Sequence, residues 1–179
     1  MRNMIKALVA GYLIAIANMA FYAADNKFIG SLLFSIGLLC IIELRLPLYT
    51  GACGFRKYPA KELAVMLLMN LIGVLITIHY TSEDIKELAL QRLDRLNWID
   101  AVVLSILCGI LIYIAAYCRN KYITTFCVTV FVFCGFKHCI AEFPYVVASG
   151  SIKYYAYWVL MIAGNYSGAV MMNDILSKE

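Results

Sequence analysis

Long apolar segments alternate with short polar ones along the whole chain. Each apolar segment reaches about 20 residues, the length that an α-helix needs to cross the hydrocarbon core of a bilayer. The pattern therefore predicts an all-α membrane protein with six transmembrane helices, over residues 4–23, 28–54, 61–80, 98–118, 122–150 and 154–176. The polar stretch 81–97 has leucine and isoleucine at helical spacing, which predicts a short amphipathic helix at the membrane surface.

The second of these spans is interrupted before it is complete. Pro47 removes a backbone donor, and Gly51 and Gly54 permit non-helical dihedral angles. Irregular backbone at membrane depth is tolerated only where it is buried in protein or lines a cavity. The break in the second helix is therefore a candidate part of a functional site.

The fifth span is also broken, and it carries three ionisable residues near its middle, Lys137, His138 and Glu142. An ionisable side chain at the centre of a bilayer costs at least about 2.5–3.5 kcal/mol. These side chains should therefore face water, a partner or a substrate rather than lipid. We interpret this stretch as the centre of a transport pathway.

A weak internal repeat relates residues 1–80 to residues 98–179, with 81–97 as the linker. The third helix of each half contains Asn-x-x-Gly, as Asn70-Leu71-Ile72-Gly73 and Asn165-Tyr166-Ser167-Gly168. Three spans in each half, with the second one broken, predict an inverted 3+3 repeat whose broken helices 2 and 5 mark the binding site. The alternative for the two motifs alone is close packing between helices.

Composition excludes several other classes of protein. The 179 residues are 64% hydrophobic and 15% charged, with a mean hydropathy of +0.82, which excludes a soluble domain. The net charge of +4 does not indicate a nucleic-acid-binding protein, because the basic residues lie at the ends of spans. They are more numerous on the side of the termini, which predicts that both termini are cytoplasmic. The residues on that side are Arg2, Lys6, Arg56, Lys57, Lys61, Arg119, Lys121 and Lys178, against Lys27, Lys86, Arg92, Arg95 and Lys153.

Seven cysteines lie mostly within the spans, and we interpret them as small packing residues rather than as a disulfide framework. Cys134, His138 and Cys139 are conceivable metal ligands, but no fourth ligand is in view. We therefore expect no metal and no other cofactor.

Several motifs, in the same order along the chain, resemble the formate/nitrite transporter family. Residues 135–141 (GFKHCIA) are similar to the fifth-helix signature, in which Gly-Phe-x-His is followed by a small residue, an aliphatic residue and Ala. Leu48-Tyr49-Thr50-Gly51 resembles the loop of the second helix, Leu-Phe-Thr followed by a small residue. The other matching stretches are 70–73, 98–102, 115–117 and 164–168.

The resemblance implies a homopentamer of aquaporin-like protomers in a prokaryotic inner or plasma membrane. Each protomer would have its own pore for small monovalent anions, with protons as a second partner. The resemblance places His138 and Thr50 between two apolar constrictions. The matching constriction positions are Phe34, Leu38, Leu48 and Phe131, all bulky and apolar as a hydrophobic gate requires.

The chain departs from the family pattern at charged positions. Lys137 stands where the family usually has glutamate, and Glu142 where it often has asparagine. A family lysine falls on Leu93, with Arg92 and Arg95 beside it. The other departures are Pro47 in place of an acidic residue and Gly109 in place of an asparagine.

We hypothesise that Lys137 supplies the charge that attracts the anion, since the family lysine is missing at position 93. The alternative is that Lys137 forms a structural ion pair with Glu142 or Glu43. The unperturbed pKa of histidine is close to neutrality, so His138 is suited to give a proton to the anion and retake it. The anion would then cross the gate as the neutral acid or together with a proton.

Two other functions are left open by the residues. One is a non-conducting membrane scaffold or regulatory protein that kept the fold and lost the pore, which the charge changes would favour. The other is a membrane enzyme or haem protein, for which only His79 and His138 are available as ligands. No nucleophile–base pair is visible in the sequence, so we do not expect an enzyme.

Overall fold

The computed structural model describes residues 1–55, 57–75 and 84–177, which form helices and no strand. The helices are α1 (Arg2–Tyr22), α2 (Lys27–Glu43), α3 (Tyr49–Ala52), α4 (Ala60–Leu75), α5 (Asp84–Asp94), α6 (Trp98–Cys118), α7 (Lys121–Cys134), α8 (Cys139–Ser149) and α9 (Ile152–Leu176). The all-α prediction is confirmed for this part of the chain. The end of the predicted third span, including His79, and the start of the linker lie outside the described residues, as does Arg56.

Three helical stretches in the described residues are long and apolar enough to cross a membrane: Arg2–Tyr22, Trp98–Cys118 and Lys121–Ser149. The last runs through α7 and α8 and contains the interruption between them. Of the other predicted spans, α2 has 17 residues. Helix α9 has 25 residues but carries two asparagines and four tyrosines. Length and apolar character therefore support three of the six predicted spans.

The helices are interrupted after α2 and after α7, at the stretches that the sequence singles out. After α2 the backbone turns through Arg45 (φ 52°) and is extended at Leu48, the N-cap of α3. After α7 it turns through Gly135 (φ 76°), a conformation that glycine adopts without steric cost. The chain is then extended at His138, the N-cap of α8. Thr50 and His138 are thus brought into the interior on irregular backbone and short helices.

Helix α1 packs on α4, and α6 packs on α9, through close backbone contacts. A Cβ atom added at Gly73 of α4 would lie 2.0 Å from the Leu8 carbonyl oxygen of α1. A Cβ atom at Gly168 of α9 would lie 2.1 Å from the Ile106 carbonyl oxygen of α6. The glycines of the two Asn-x-x-Gly motifs are therefore required for the same kind of contact, in which only glycine leaves enough room.

Helix α5 belongs to the polar linker and packs against α8. Ala89 and Leu93 on one side of α5 are buried, whereas Glu87 and Gln91 on the other side are exposed. This packing brings Arg92 from a surface helix to the interrupted segment between α7 and α8.

Candidate functional site

His138 and Thr50 meet between the two interrupted segments. His138 Nε2 lies 2.8 Å from Thr50 Oγ1, and both side chains are buried. His138 Nδ1 accepts a hydrogen bond of 3.1 Å from the Ala141 backbone N–H. In the neutral ring the proton is therefore on Nε2, which donates to Thr50. Among the described residues no acceptor is present for the Thr50 hydroxyl proton, so this proton can be donated to a ligand.

Bulky apolar side chains lie next to this pair. The Phe131 ring stacks on the His138 ring, with 5.7 Å between centroids. Phe34 makes an edge contact with Phe131 at 5.9 Å. Leu38, one turn further along α2, and Leu48, before α3, are buried as well. All four residues that the resemblance assigned to constrictions therefore lie in the interior.

Two cavities lie beside the interrupted segments, and His138 lines the first of them. The first cavity, of about 50 Å³, has aromatic and charged side chains in its lining, among them Tyr22, Phe34, Arg92, Phe131, His138 and Glu142. The second cavity, of about 290 Å³, has apolar and basic side chains in its lining, among them Leu38, Arg45, Leu48, Lys57 and Arg119. The two phenylalanines thus line one cavity and the two leucines line the other.

Glu142 is the centre of a buried charge cluster beside the first cavity. Its Oε1 atom accepts hydrogen bonds from Lys137 Nζ at 2.9 Å and from the Tyr154 hydroxyl at 2.7 Å. Arg92 donates to both carboxylate oxygens, at 3.2 and 3.1 Å. Arg92 also donates to the Tyr22 hydroxyl. Since two cations share one carboxylate, the cluster keeps one positive charge.

The contacts of Glu142 bear on the two roles considered for Lys137, attraction of the anion and a structural ion pair. The structure pairs Lys137 with Glu142, whereas Glu43 is exposed at the end of α2. Arg92, and not Lys137, is among the residues that line the first cavity. At the positions beside Arg92, Leu93 is buried and Arg95 is exposed.

Asn70 fastens the first interrupted segment to α1 and α4. Its Oδ1 atom accepts a hydrogen bond of 2.8 Å from Tyr49 N–H. Its amide nitrogen donates to the carbonyl oxygens of Ala7 and Pro47, at 2.7 and 3.0 Å. Pro47, which replaces an acidic residue of the family pattern, thus contributes its backbone carbonyl to this contact.

Asn165 fastens the second interrupted segment in the same way. Its Oδ1 atom accepts a hydrogen bond of 2.8 Å from Cys139 N–H. Its amide nitrogen donates to the carbonyl oxygens of Ser105 and Lys137, both at 2.8 Å. A Cβ atom at Gly109 would lie 2.3 Å from the Asn165 carbonyl oxygen, so Gly109 belongs to this helix contact. Sequence reasoning detected the two asparagines as a repeated motif but assigned them no hydrogen-bonding role.

Arg45, Lys57 and Arg119 in the second cavity were not among the site residues chosen from the sequence. None of their side chains has an ion-pair or hydrogen-bond partner within the described part of the chain. Arg45 and Arg119 are the non-glycine residues with positive φ among those described, at 52° and 48°. A basic residue just after a helix, where glycine is usual, is the signal that could have identified both.

No group of three His, Cys, Asp or Glu side chains suitable for a metal ion occurs in the described residues. Cys139 is buried and Cys134 is exposed, on opposite sides of the break between α7 and α8.

Comparisons with known proteins bear on the family and the fold. The family model for formate/nitrite transporters matches residues 1–177. A solved structure described as an FNT family ion channel has a TM-score of 0.76 and 17% identity, and the match covers 95% of this chain and 86% of that chain. A pentameric formate channel with formate bound has a TM-score of 0.65 and 23% identity, and the match covers 98% of this chain and 91% of that chain.

At these identities the two structures show a common fold. No curated protein matches the chain by sequence. Because the family model covers nearly the whole chain, the resemblance in the motifs is confirmed: the chain belongs to the formate/nitrite transporter family, whose members are channels and transporters rather than enzymes.

Proposed function

We propose that this protein is a channel for small monovalent anions of the formate or nitrite type. The observation that carries the proposal is the buried contact between His138 and Thr50, at 2.8 Å. It lies at the interrupted segments, beside bulky apolar side chains, and each of the two cavities at these segments is lined by at least one basic residue. Basic residues at both entrances attract anions, and the apolar side chains restrict the passage between them.

The proposed architecture is six transmembrane helices in two inverted halves, residues 1–80 and 98–179. It is supported by the equivalent hydrogen bonds of Asn70 and Asn165, each of which joins an interrupted segment to a neighbouring helix. We propose that both termini are cytoplasmic, as the distribution of basic residues favours.

We further propose that the protein is a homopentamer in a prokaryotic inner or plasma membrane. The similar pentameric formate channel supports this assembly. On α7, Tyr122 and Phe126 are 73% and 68% exposed in the isolated protomer, and such apolar surface requires lipid or a neighbouring copy to cover it.

We propose that His138 exchanges a proton with the permeating anion. A bare anion is poorly tolerated between apolar side chains, and protonation removes most of this cost. The step begins with a proton from hydronium added to Nδ1 of the His138 ring, which gives the imidazolium and breaks the hydrogen bond from Ala141 N–H. The anion takes the proton from Nε2, directly or through the Thr50 hydroxyl, and moves on as the neutral acid. The neutral ring that remains carries its proton on Nδ1. Return of this proton through water to Nε2 lets Nδ1 accept from Ala141 N–H again.

The proposal is tested by formate and nitrite flux into proteoliposomes between about pH 5 and pH 8. We expect flux in the wild type, and we expect His138→Ala to abolish its pH dependence or its anion selectivity. Thr50→Val should lower flux. Thr124→Val is the control, because Thr124 is also buried but bonds to the Ala115 carbonyl oxygen outside both cavities. Flux with both an unchanged pH profile and an unchanged anion selectivity in His138→Ala would contradict the role of the histidine.

A non-conducting scaffold is the second candidate function. The observation that favours it is the ion pair of Glu142 with both Lys137 and Arg92, which partly neutralises the charge available to an anion. Absence of flux for any small anion at any of these pH values would favour the scaffold over the channel.

We propose that Arg45 and Arg119 recruit anions to the second cavity, together with Lys57. Glycine is the residue best suited to their positive φ, and an arginine in this conformation lowers the stability of the protein by about 1 kcal/mol or more.

The Arg45→Gly/Arg119→Gly variant is therefore expected to be at least as stable as the wild type, yet to conduct anions several-fold more slowly at low salt. The measurement combines thermal unfolding in detergent with liposome flux at two ionic strengths, because salt screens such steering. Arg45→Lys/Arg119→Lys keeps the charge and should keep the flux. Equal flux in the glycine and lysine variants would rule out the recruiting role.

A further inference from the structure

A third cavity lies between the beginnings of α1 and α4 and adjoins the second cavity, with which it shares Arg45, Pro47 and Tyr58. Its volume is about 500 Å³. Its lining contains both basic or polar side chains and apolar side chains. The lining includes Lys6, Arg45, Lys61, Val65, Met66 and Met69. Neither His138 nor any of the four proposed constriction residues lines this cavity.

We propose that this third cavity binds an anionic phospholipid, with the phosphate headgroup at the basic residues and an acyl chain along the apolar wall.

Charge is the first reason for this assignment. Lys6, Arg45 and Lys61 contribute three positive charges, and Glu62 contributes one negative charge, which leaves the cavity with a charge of +2. None of these four side chains has an ion-pair or hydrogen-bond partner within residues 1–55, 57–75 and 84–177. Unpaired cations that converge on one cavity favour an anionic ligand with several acceptor oxygens, and a phosphate has this character.

The order of polar and apolar residues is the second reason. Lys61 lies in the first turn of α4, and Met69 follows eight residues later in the same helix. At 1.5 Å per residue, the part of the cavity wall formed by α4 changes from charged to apolar over about 12 Å. Val65 is 37% exposed and Met4, on α1, is 44% exposed, so their apolar surfaces are uncovered in the protomer. A soluble anion would use only the basic end, whereas a phospholipid matches both ends.

The position of the cavity is the third reason. Helices α1 and α4 start next to it, so its basic end lies at the membrane–water interface of a protein that spans the bilayer. Basic pockets between transmembrane helices at this level are suited to anionic headgroups. The assignment does not depend on whether the His138 pathway conducts.

The test uses the full-length protein purified in neutral detergent and titrated with phosphatidylglycerol, phosphatidylcholine or soluble glycerol phosphate. Bound lipid is counted by native mass spectrometry, and thermal unfolding is followed in parallel. Phosphatidylglycerol is expected to bind and to raise the unfolding temperature by several degrees, whereas phosphatidylcholine and glycerol phosphate should have little effect. Lys6→Gln/Lys61→Gln should lower the apparent affinity for phosphatidylglycerol about 10- to 30-fold.

Lys27→Gln/Lys153→Gln is the matched control, since these two lysines lie over the rings of Phe133 and Tyr157 and outside this cavity. It should bind phosphatidylglycerol as the wild type does. Equal lipid affinity in both double variants would overturn the proposal. Glycerol phosphate as effective as the lipid would show a soluble-anion site instead. Loss of the oligomer in Lys6→Gln/Lys61→Gln, with or without lipid, would show that the cavity is an interface between copies of the chain.

Discussion

Replacement of Glu142 by glutamine is expected to destabilise the protein by about 3–5 kcal/mol, because it removes the carboxylate that Lys137 and Arg92 share. The Lys137 side chain is 11% exposed, so water cannot replace the lost partner. Arg92 is 28% exposed and should tolerate the change better. Glutamine preserves the size of the side chain, so the loss of stability can be attributed to the loss of the negative charge. Thermal unfolding in detergent and the fraction of monodisperse protein measure it.

Lys137→Met provides the control for this prediction. On its own it leaves Glu142 bonded to Arg92 and Tyr154, so no buried charge is left unpaired. It should therefore cost much less than the roughly 3–5 kcal/mol expected for an unpaired buried charge. Combined with Glu142→Gln, it removes the unpaired buried charge and should restore most of the stability. The difference between the double variant and the sum of the single variants is the coupling energy of the pair. If Lys137→Met gave no recovery in the Glu142→Gln background, the buried charge would not be the cause of the loss.

Asn165→Ala is expected to cost about 3 kcal/mol or more, and also to reduce anion flux. It leaves Cys139 N–H and the carbonyl oxygens of Ser105 and Lys137 without their buried partner. Each buried polar group left without a partner lowers the free energy of unfolding by about 1–3 kcal/mol. Two of these three groups, Cys139 N–H and the Lys137 carbonyl oxygen, belong to the residues on either side of His138. The imidazole should therefore lose its fixed position relative to Thr50. Thermal unfolding and formate flux into liposomes measure the two effects.

Asn173→Ala is the comparison variant on the same helix. Asn173 is also buried, and its side-chain oxygen accepts a hydrogen bond from the Tyr113 hydroxyl, not from a backbone group of an interrupted segment. This variant should lose less stability than Asn165→Ala and keep the flux of the wild type. Asn70→Ala should behave like Asn165→Ala, because Asn70 makes the equivalent three bonds beside Leu48. Equal losses of stability and of flux in Asn165→Ala and Asn173→Ala would show that the bonds to the interrupted segment contribute no more than the Asn173 bond does.

The elements that could be predicted from the sequence are those with a local cause. Pro47 lacks a backbone N–H and stands in the irregular stretch between α2 and α3, and Gly135 permits a left-handed turn without help from its neighbours. The polar stretch that contains α5 could be recognised because its charged residues interrupt the apolar pattern. Three charged residues in an apolar segment also pointed to the site, since lipid cannot accommodate them.

The partners of the site residues could not be predicted in the same way. From the sequence, Glu142 and Glu43 were both possible partners of Lys137, and the contact of Glu142 with Arg92 joins residues 50 positions apart. The contact between Thr50 and His138 joins residues 88 positions apart. A periodic pattern in the sequence does not predict contacts between residues so far apart in the chain, because these contacts depend on how the helices pack. The resemblance to a family suggested the second contact, but the family pattern contains no counterpart of the first.

By itself, the amino-acid sequence determined the helical class, the membrane environment, the places where the helices break and the candidate residues of the site. These follow from hydrophobicity and from backbone restrictions, both of which act over a few residues. Only the tertiary structure decided that Lys137 pairs with Glu142, that two asparagines fasten the interrupted segments, and that Arg45, Lys57 and Arg119 share one cavity. Such contacts form between separate helices, and their geometry is set when the apolar faces and glycines of those helices pack together.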